Sequence, residues 1–468
     1  MIPTTIQAEN LKALVDILFN AVNVVTTEYA KGGHLVPSLD STEPGPFDAP
    51  ENVSPALFNA VRTIEAACAQ LSFVAVASPG HVMTNNLSYG YYEPSALLVV
   101  CNAKVADILL DKPDGMHISE IAKASGLNEG KLGRIIRMLV TKHCFREVKP
   151  DIFANNRLSI KLLSTDPVSA CVGTMTDEVQ KGAVFLNEAL FDPESGHSSL
   201  ATDTAFKRAH GYSFFDYYGR VMLCFDVLSQ YVCALTREKR FSQAMVGWGA
   251  VTGKGNLSKA YPWSTCRPGT TVCDIGGGNG HIMLDLIKSA PQLKAIIQDT
   301  PTVIEHGKEL WGNDRPDLVQ SGSVRFKAID FFKDTPVACC DFYYLRHVLH
   351  DWPDFECFKI LQNIRNAAQS SSKLLLHEFV LQHAVRGSGG MIEEAPEPLL
   401  PNFGMGHIRL YQQDMNMMNL FNSGERTLQE FIKMRQVFYI SSYNFDTEAL
   451  AANQREMWIQ VCQTLGCW

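Results

Sequence analysis

Residues 271–280 read Thr-Val-Cys-Asp-Ile-Gly-Gly-Gly-Asn-Gly. A short apolar strand runs into Asp274, a cluster of glycines follows, and a helical pattern begins at His281. Glycine lets backbone approach a ligand closely, and the N–H groups at a helix start favour negative charge. An adenosine-containing cofactor is the first expectation. A dinucleotide fingerprint needs glycines at positions 1, 3 and 6. Gly276 and Gly278 fill the first two, but the third falls on His281. No Gly-Lys-Ser/Thr follows, so a phosphate loop is also excluded. Asp274 at a strand end suits a ligand with a cationic amine and no phosphate, and S-adenosylmethionine is such a ligand. Asp299 ends the next apolar strand at the spacing expected of an acid that grips ribose hydroxyls.

Working outward, strands are expected at 270–275, 293–298, 324–329, 340–346 and 373–379. Helices are expected at 280–289, 301–311 and 355–369. This alternation predicts an α/β fold with a doubly wound, mostly parallel sheet. Ligands bind at the carboxyl ends of such strands. Asp274, Asp299, Asp330, Arg346 and Glu378 all fall there.

Upstream, residues 5–30 read as a helix with Leu11, Leu14, Leu18, Val22 and Val25 on one face. Ser54-Pro55 starts another, with a stripe of Leu57, Val61, Ile64, Cys68 and Leu71 that needs a helical partner, within the chain or in a second copy. Residues 95–162 predict a winged helix-turn-helix. A helix spans 95–110, Ser119 caps the next, Gly126 ends it, and Asn128 caps a third before a hairpin around Pro150-Asp151. Residues 165–265 are mostly helical. Phe214, Phe215, Tyr217, Tyr218, Phe241, Met245 and Trp248 are candidates for an aromatic pocket.

The chain has 468 residues, 46% hydrophobic and 19% charged, enough for two or three domains. Its net charge of −8 gives no reason to expect nucleic acid as a partner, despite the winged helix. The 13 scattered cysteines lack a Cys-x-x-Cys, so no metal site is expected, and reduced thiols fit a cytoplasmic protein. No apolar run reaches the length of a membrane span.

The fourth strand continues into Leu345-Arg346-His347-Val348-Leu349-His350-Asp351-Trp352. His350 falls just past the strand edge. A neutral imidazole there can take a hydroxyl proton as the oxygen attacks. Such a base needs an acceptor on its other nitrogen, for which Glu378 and Glu425 are candidates. His347 competes with His350, but it lies earlier along the strand.

The ordered motifs Asp-Ile-Gly-Gly-Gly-Asn-Gly, Gln-Asp-Thr-Pro-Thr-Val-Ile-Glu, Ile-Asp-Phe-Phe, Leu-Arg-His-Val-Leu-His-Asp-Trp-Pro-Asp and Gly-Glu-Arg-Thr resemble the caffeate/flavonoid-type O-methyltransferases. The likeness is greatest to the fungal branch that acts on polyketides and other secondary metabolites, and it covers residues 95–435. It implies a Rossmann-like class I methyltransferase sheet behind a mostly helical winged-helix dimerisation domain. Four parts are expected along the chain: a helical extension at 1–94, the dimerisation domain at 95–165, a linker and acceptor-pocket segment at 166–265, and the catalytic domain at 266–468. Gly276 and Gly278 would back S-adenosylmethionine, Asp299 would hold the ribose, and Asp330 and Phe331 would flank the adenine, with Arg346 nearby. His350 would be the general base, oriented by Glu378 and Glu425. Phe241 and Met245 would line the pocket for a hydroxylated small molecule, and the protein would be a homodimer. Methyltransferase-fold cyclases that use bound S-adenosylmethionine without reaction are the alternative. Residues 383–413 interrupt the pattern and read as a lid or a disordered loop. The segment after Gln436 and the first ~90 residues lie outside the resemblance.

Overall fold

A computed structural model describes residues 4–75, 78–219, 227–253, 255–388, 392–436, 447–450 and 457–462. The chain divides into two compact units. One is 1–197 with 202–252, and the other is 198–201 with 253–468.

In the first unit, α1 (Thr4–Lys31) packs against α2 (Pro55–Ala75). The face that α2 buries matches the expected stripe only at Leu57. Leu57, Phe58, Ala60, Ala66 and Ala67 are buried, whereas Cys68 is exposed. On α1, Leu14 and Ala21 are buried but Val22 is exposed. Small alanines on the buried faces let these two helices approach closely, and the bulkier stripe residues turn partly outward.

The expected helix at 95–110 is two pieces. α3 (Tyr92–Asn102) ends before Lys104, whose left-handed φ of 52° breaks the helix, and a short turn of helix follows at Val105–Ile108. Strand β1 (Met116–His117) leads into α4 (Ile118–Ser125), which Gly126 ends in the left-handed region. The cap of α4 is His117 rather than Ser119, because His117 Nδ1 accepts the Ser119 N–H at 3.2 Å. Asn128 caps α5 (Glu129–Thr141) as expected, its Oδ1 accepting from Lys131 N–H at 3.1 Å. Strands β2 (Arg146–Lys149) and β3 (Ile152–Ala154) form the hairpin, and β1 pairs with β3 on the other side. Ile118, Ile121, Leu132, Ile136, Leu139, Phe145 and Phe153 fill the core between them.

α6 (Pro167–Thr174) packs against α7 (Val227–Val251). Arg240 on α7 pairs with Asp177 at 3.0 Å and with the buried Glu178. No described helix is long and apolar enough to cross a membrane.

The second unit is built on a seven-stranded sheet. Its strands are β4 (Thr271–Ile275), β5 (Lys294–Asp299), β6 (Val324–Ala328), β7 (Phe342–Arg346), β8 (Lys373–Glu378), β11 (Thr447–Leu450) and β12 (Met457–Cys462). The order is β11-β12-β8-β7-β4-β5-β6. The first five in chain order are parallel, and β12 returns antiparallel to both β8 and β11. All five expected strands are present within two residues at each end. Val272, Phe342 and Tyr344 face one core with α8 (His281–Ser289), and Cys273, Tyr343 and Leu345 face another. Successive residues of β4 and β7 are therefore buried on both faces, which is why these strands read as continuous apolar runs.

Helices α9 (Pro301–Asp314) and α10 (Asp354–Ala367) complete the crossovers. A short strand, β9 (Val380–Leu381), pairs in parallel with β10 (Arg426–Thr427). Between them, the interruption at 383–413 is partly helical, because α11 starts at Ile408 and runs to Phe421. The described loop before it folds around Arg386, which donates to the carbonyls of Ala395 (2.8 Å) and Leu399 (2.7 Å). Ala395, Leu399 and Phe403 are buried. α12 (Leu428–Gln436) follows β10.

Candidate active site

The turn after β4 is held to the end of β5. Gly276 N–H donates to the Gln298 carbonyl at 2.8 Å, and Gly278 N–H donates to Asp299 Oδ2 at 2.9 Å. Asp299 Oδ1 accepts from Thr300 N–H at 2.7 Å. Each carboxylate oxygen has a second lone pair, so Asp299 can staple the glycine turn and still accept from a ligand's hydroxyls. Burial pushes its pKa up, and the backbone N–H groups of Thr300 and Gly278 oppose that.

Asp274 is buried at the floor of the turn, and its Oδ2 has no hydrogen-bond partner. Burial pushes its carboxyl up to about 7, Asp299 adds to the rise, and the Arg346 guanidinium opposes it. A Cβ on Gly277 would stand 2.6 Å from that carboxylate, whereas nothing lies within 4 Å of a Cβ on Gly278. An orphaned buried acid beneath a cradle without side chains fits a cationic amine of a bound cofactor. A Cβ on Gly276 would meet Val348 Cγ2 at 2.8 Å and Phe331 Cε1 at 3.9 Å. The glycine turn, the residues after β6 and the turn after β7 therefore meet at one point.

Asp330 sits less deeply than the other acids. It pairs with Lys333 at 2.7 Å, and that bond holds its carboxyl below the usual range. Phe331 lies edge-on to Phe332 and Trp352, with centroids 4.8 and 6.1 Å away. Arg346 ends β7 beside the β4 end that carries Asp274.

His350 lies in a tight turn, Leu349–Asp351, just past β7. It is buried, and its Nδ1 is 2.8 Å from Glu425 Oε1. Glu378 ends β8, and its Oε1 accepts from Val348 N–H (3.1 Å) and Leu349 N–H (2.9 Å). The second oxygens of Glu378 and Glu425 are buried without partners. His350, Glu378 and Glu425 each place a polar atom within 4.8 Å of the others. His347 has a left-handed φ of 52° and lies beyond the strand end, its ring stacked between Phe379 (4.7 Å) and His350 (5.3 Å).

Sequence reasoning passed over Asp351. Its Oδ1 lies 3.4 Å from His350 Nε2, so a third acid surrounds the imidazole. Burial alone would lower the pKa of His350, but Glu425, Asp351 and Glu378 together carry it up to about 10. Burial in turn pushes Asp351 and Glu378 up to about 7, each opposed by His350. Asp351 was visible as the neighbour of His350 within the motif; its direction was not. Asp414 was also missed: its Oδ1 accepts the Glu425 N–H at 2.9 Å.

Phe241, Met245 and Trp248 lie on α7 in the first unit. Phe241 stacks on Tyr218 at 4.4 Å and meets Phe214 edge-on at 5.5 Å. Phe214, Phe215, Tyr217, Tyr218 and Phe241 pack against one another in this unit.

Residues 196–438 match the O-methyltransferase domain, and residues 85–165 match the O-methyltransferase dimerisation domain. The "3-O-methyltransferase 2" of Phanerochaete chrysosporium is 48% identical over 92% of this chain and 93% of its own length. The chain belongs to the O-methyltransferase family. It is an enzyme whose methyl donor is S-adenosylmethionine. The Sterigmatocystin 8-O-methyltransferase of Aspergillus flavus is 32% identical over 64% of this chain and 66% of its own. OxaC, solved in complex with SAH and oxaline, superposes with a TM-score of 0.64 over 97% of this chain and 99% of its own. At 19% identity that likeness speaks for this methyltransferase's fold alone.

Proposed function

We propose that this O-methyltransferase methylates a phenolic hydroxyl of a secondary metabolite, with His350 as general base. The observation that carries the reading is the buried His350–Glu425 pair at the carboxyl edge of the sheet, beside the glycine turn. Glu425 fixes the imidazole through Nδ1 and leaves Nε2 as the proton acceptor. Glu378 holds the turn that presents His350 through the Val348 and Leu349 N–H groups. Asp274, Gly276, Gly278 and Asp299 bind the cofactor, with Asp330, Phe331 and Arg346 at its adenosine end. When bound, S-adenosylmethionine supplies an electrophilic methyl group on a sulfonium cation.

A phenol has a pKa near ~10, so deprotonation as it attacks lowers the barrier. The surrounding acids raise the pKa of His350 and favour its protonated form in the cofactor-free protein. Positive charge brought near the imidazole opposes the three carboxylates and favours the neutral, proton-accepting form. The remaining work is alignment of the acceptor oxygen.

The relative named for sterigmatocystin supports a polycyclic phenolic acceptor, and Phe241, Met245 and Trp248 are proposed to line its pocket. The match to a dimerisation domain supports a homodimer. So do the exposed Phe19, Phe73, Tyr89, Tyr91 and Tyr92. Free cysteines, nine among the described residues, support a cytoplasmic setting. The chain is organised in four parts, divided at 94, 165 and 265.

The test has two arms. Calorimetric titration with S-adenosylmethionine, S-adenosylhomocysteine and NAD should show binding of the two sulfur compounds only, lost in Asp299→Ala. Incubation with S-adenosylmethionine and a panel of phenolic polyketide-type acceptors should release S-adenosylhomocysteine together with a methyl ether. Cofactor binding with cyclised, unmethylated products would replace this reading with the cyclase alternative.

A further inference from the structure

We propose that Arg426 is a positioning residue that latches the His350 turn. This rests on His350 acting as the base. Arg426 is a buried cation. Its Nη1 donates to the Leu349 carbonyl at 2.8 Å and its Nη2 to the Trp352 carbonyl at 2.7 Å. Its Nε donates to Asp354 Oδ1 at 3.0 Å, at the start of α10. These partners bracket His350 and Asp351 on both sides. The Leu349 carbonyl also accepts from Trp352 N–H at 3.3 Å, and Cys357 Sγ–H is a weak donor to both carbonyls at 3.2 Å each.

The residue before Arg426 is Glu425, the acid that holds His350 Nδ1. One dipeptide therefore fixes both the ring and the backbone that carries it. That dipeptide is itself anchored. Asp414 Oδ1 accepts the Glu425 N–H, and β10 aligns Arg426 with Val380, two residues past Glu378. A Cβ on Gly424 would stand 2.7 Å from Asp414 Oδ1, so the approach is close on this side too. Base, orienting acid and turn are thus tied into one frame through a planar guanidinium. A lysine has one nitrogen and cannot present parallel donors to two carbonyls.

The experiment compares Arg426→Lys, Arg426→Gln, Glu425→Gln, His350→Ala and the double variant Arg426→Lys/Glu425→Gln in the full-length enzyme. Cofactor affinity is read by calorimetry, and kcat and acceptor KM with the phenol that the panel identifies. Arg426→Lys should lose roughly 10- to 100-fold in kcat, because small displacements of a reacting group cost that much. Cofactor Kd and acceptor KM should stay within about two-fold, as the latch touches neither ligand. The double variant should lose little more than the worse single variant, since both act through the same imidazole. Arg426→Gln keeps a single, uncharged donor nitrogen and serves if the lysine variant fails to fold.

An inactive His350→Ala beside a fully active Arg426→Lys overturns the latch and leaves the base reading intact. Losses that multiply in the double variant, or a parallel loss of cofactor affinity, also overturn it. A fully active His350→Ala overturns the base reading and the latch together.

Discussion

Glu425 Oε1 lies 2.8 Å from His350 Nδ1 across a sequence separation of 75 residues, and both side chains are buried. The carboxylate can only accept, so Nδ1 carries the hydrogen and Nε2 is the basic atom when the ring is neutral. Glu425→Gln preserves size but can offer Nδ1 a donor instead of an acceptor, which permits the other tautomer. Transfer should fall roughly 10²-fold or more, by analogy with the loss of an orienting acid from other imidazole bases. Cofactor affinity measured by calorimetry should not change.

The acids around His350 also set the pH dependence. Removing one negative charge disfavours the imidazolium and lowers its pKa. Asp351→Asn should therefore move the rising limb of the pH–rate profile to lower pH, and an unmoved limb would show that Asp351 does not act on the base. For stability the sign is opposite in sense. The folded pKa of about 10 exceeds the unfolded value near ~6.5. The raised pKa of His350 taken by itself thus contributes stability to the cofactor-free fold that is present below about pH 6.5 and lost as pH rises through about 10.

Asp274 contributes in the other direction. Its folded pKa of about 7 exceeds the usual 3.8, so its ionisation costs stability increasingly as pH rises from about 4 to about 7. Asp274→Asn should raise the unfolding temperature of the cofactor-free protein at pH 8 and leave it nearly unchanged at pH 4. The same variant should weaken S-adenosylmethionine binding, because the buried acceptor for a cationic amine is gone. Thermal unfolding at the two pH values, with and without cofactor, separates the effects.

Gly277→Ala tests the cradle directly. Its Cβ would stand 2.6 Å from the Asp274 carboxylate, inside van der Waals contact, so that side chain must turn away. Cofactor affinity should drop at least roughly 10-fold, about 1.4 kcal/mol. Retained affinity in calorimetry would mean that the carboxylate is not needed where it stands.

Much of this fold was legible because β4 to β8 are parallel and the central strands are buried on both faces. Apolar runs ending in Asp274, Asp299 and Glu378 located the strands and their carboxyl ends within two residues. Caps that depend on local chemistry, such as Asn128 and Gly126, were also readable. What escaped depends on direction rather than spacing. Lys104 breaks a helix through its own backbone conformation, which no periodicity reveals. The α2 stripe was rotated because burial follows the small alanines that allow close packing, and apolarity alone does not encode that. Arg426 lay in view inside the Gly-Glu-Arg-Thr motif, but its partners are the carbonyls of Leu349 and Trp352, which sequence cannot mark.

The most direct test of base-assisted methyl transfer is a single-turnover measurement on His350→Ala with S-adenosylmethionine already bound. Cofactor affinity should match the wild type, while methyl transfer to the phenol should fall by roughly 10²- to 10⁴-fold. Transfer at the wild-type rate with bound cofactor would contradict the assignment of His350 and leave alignment alone to explain the reaction.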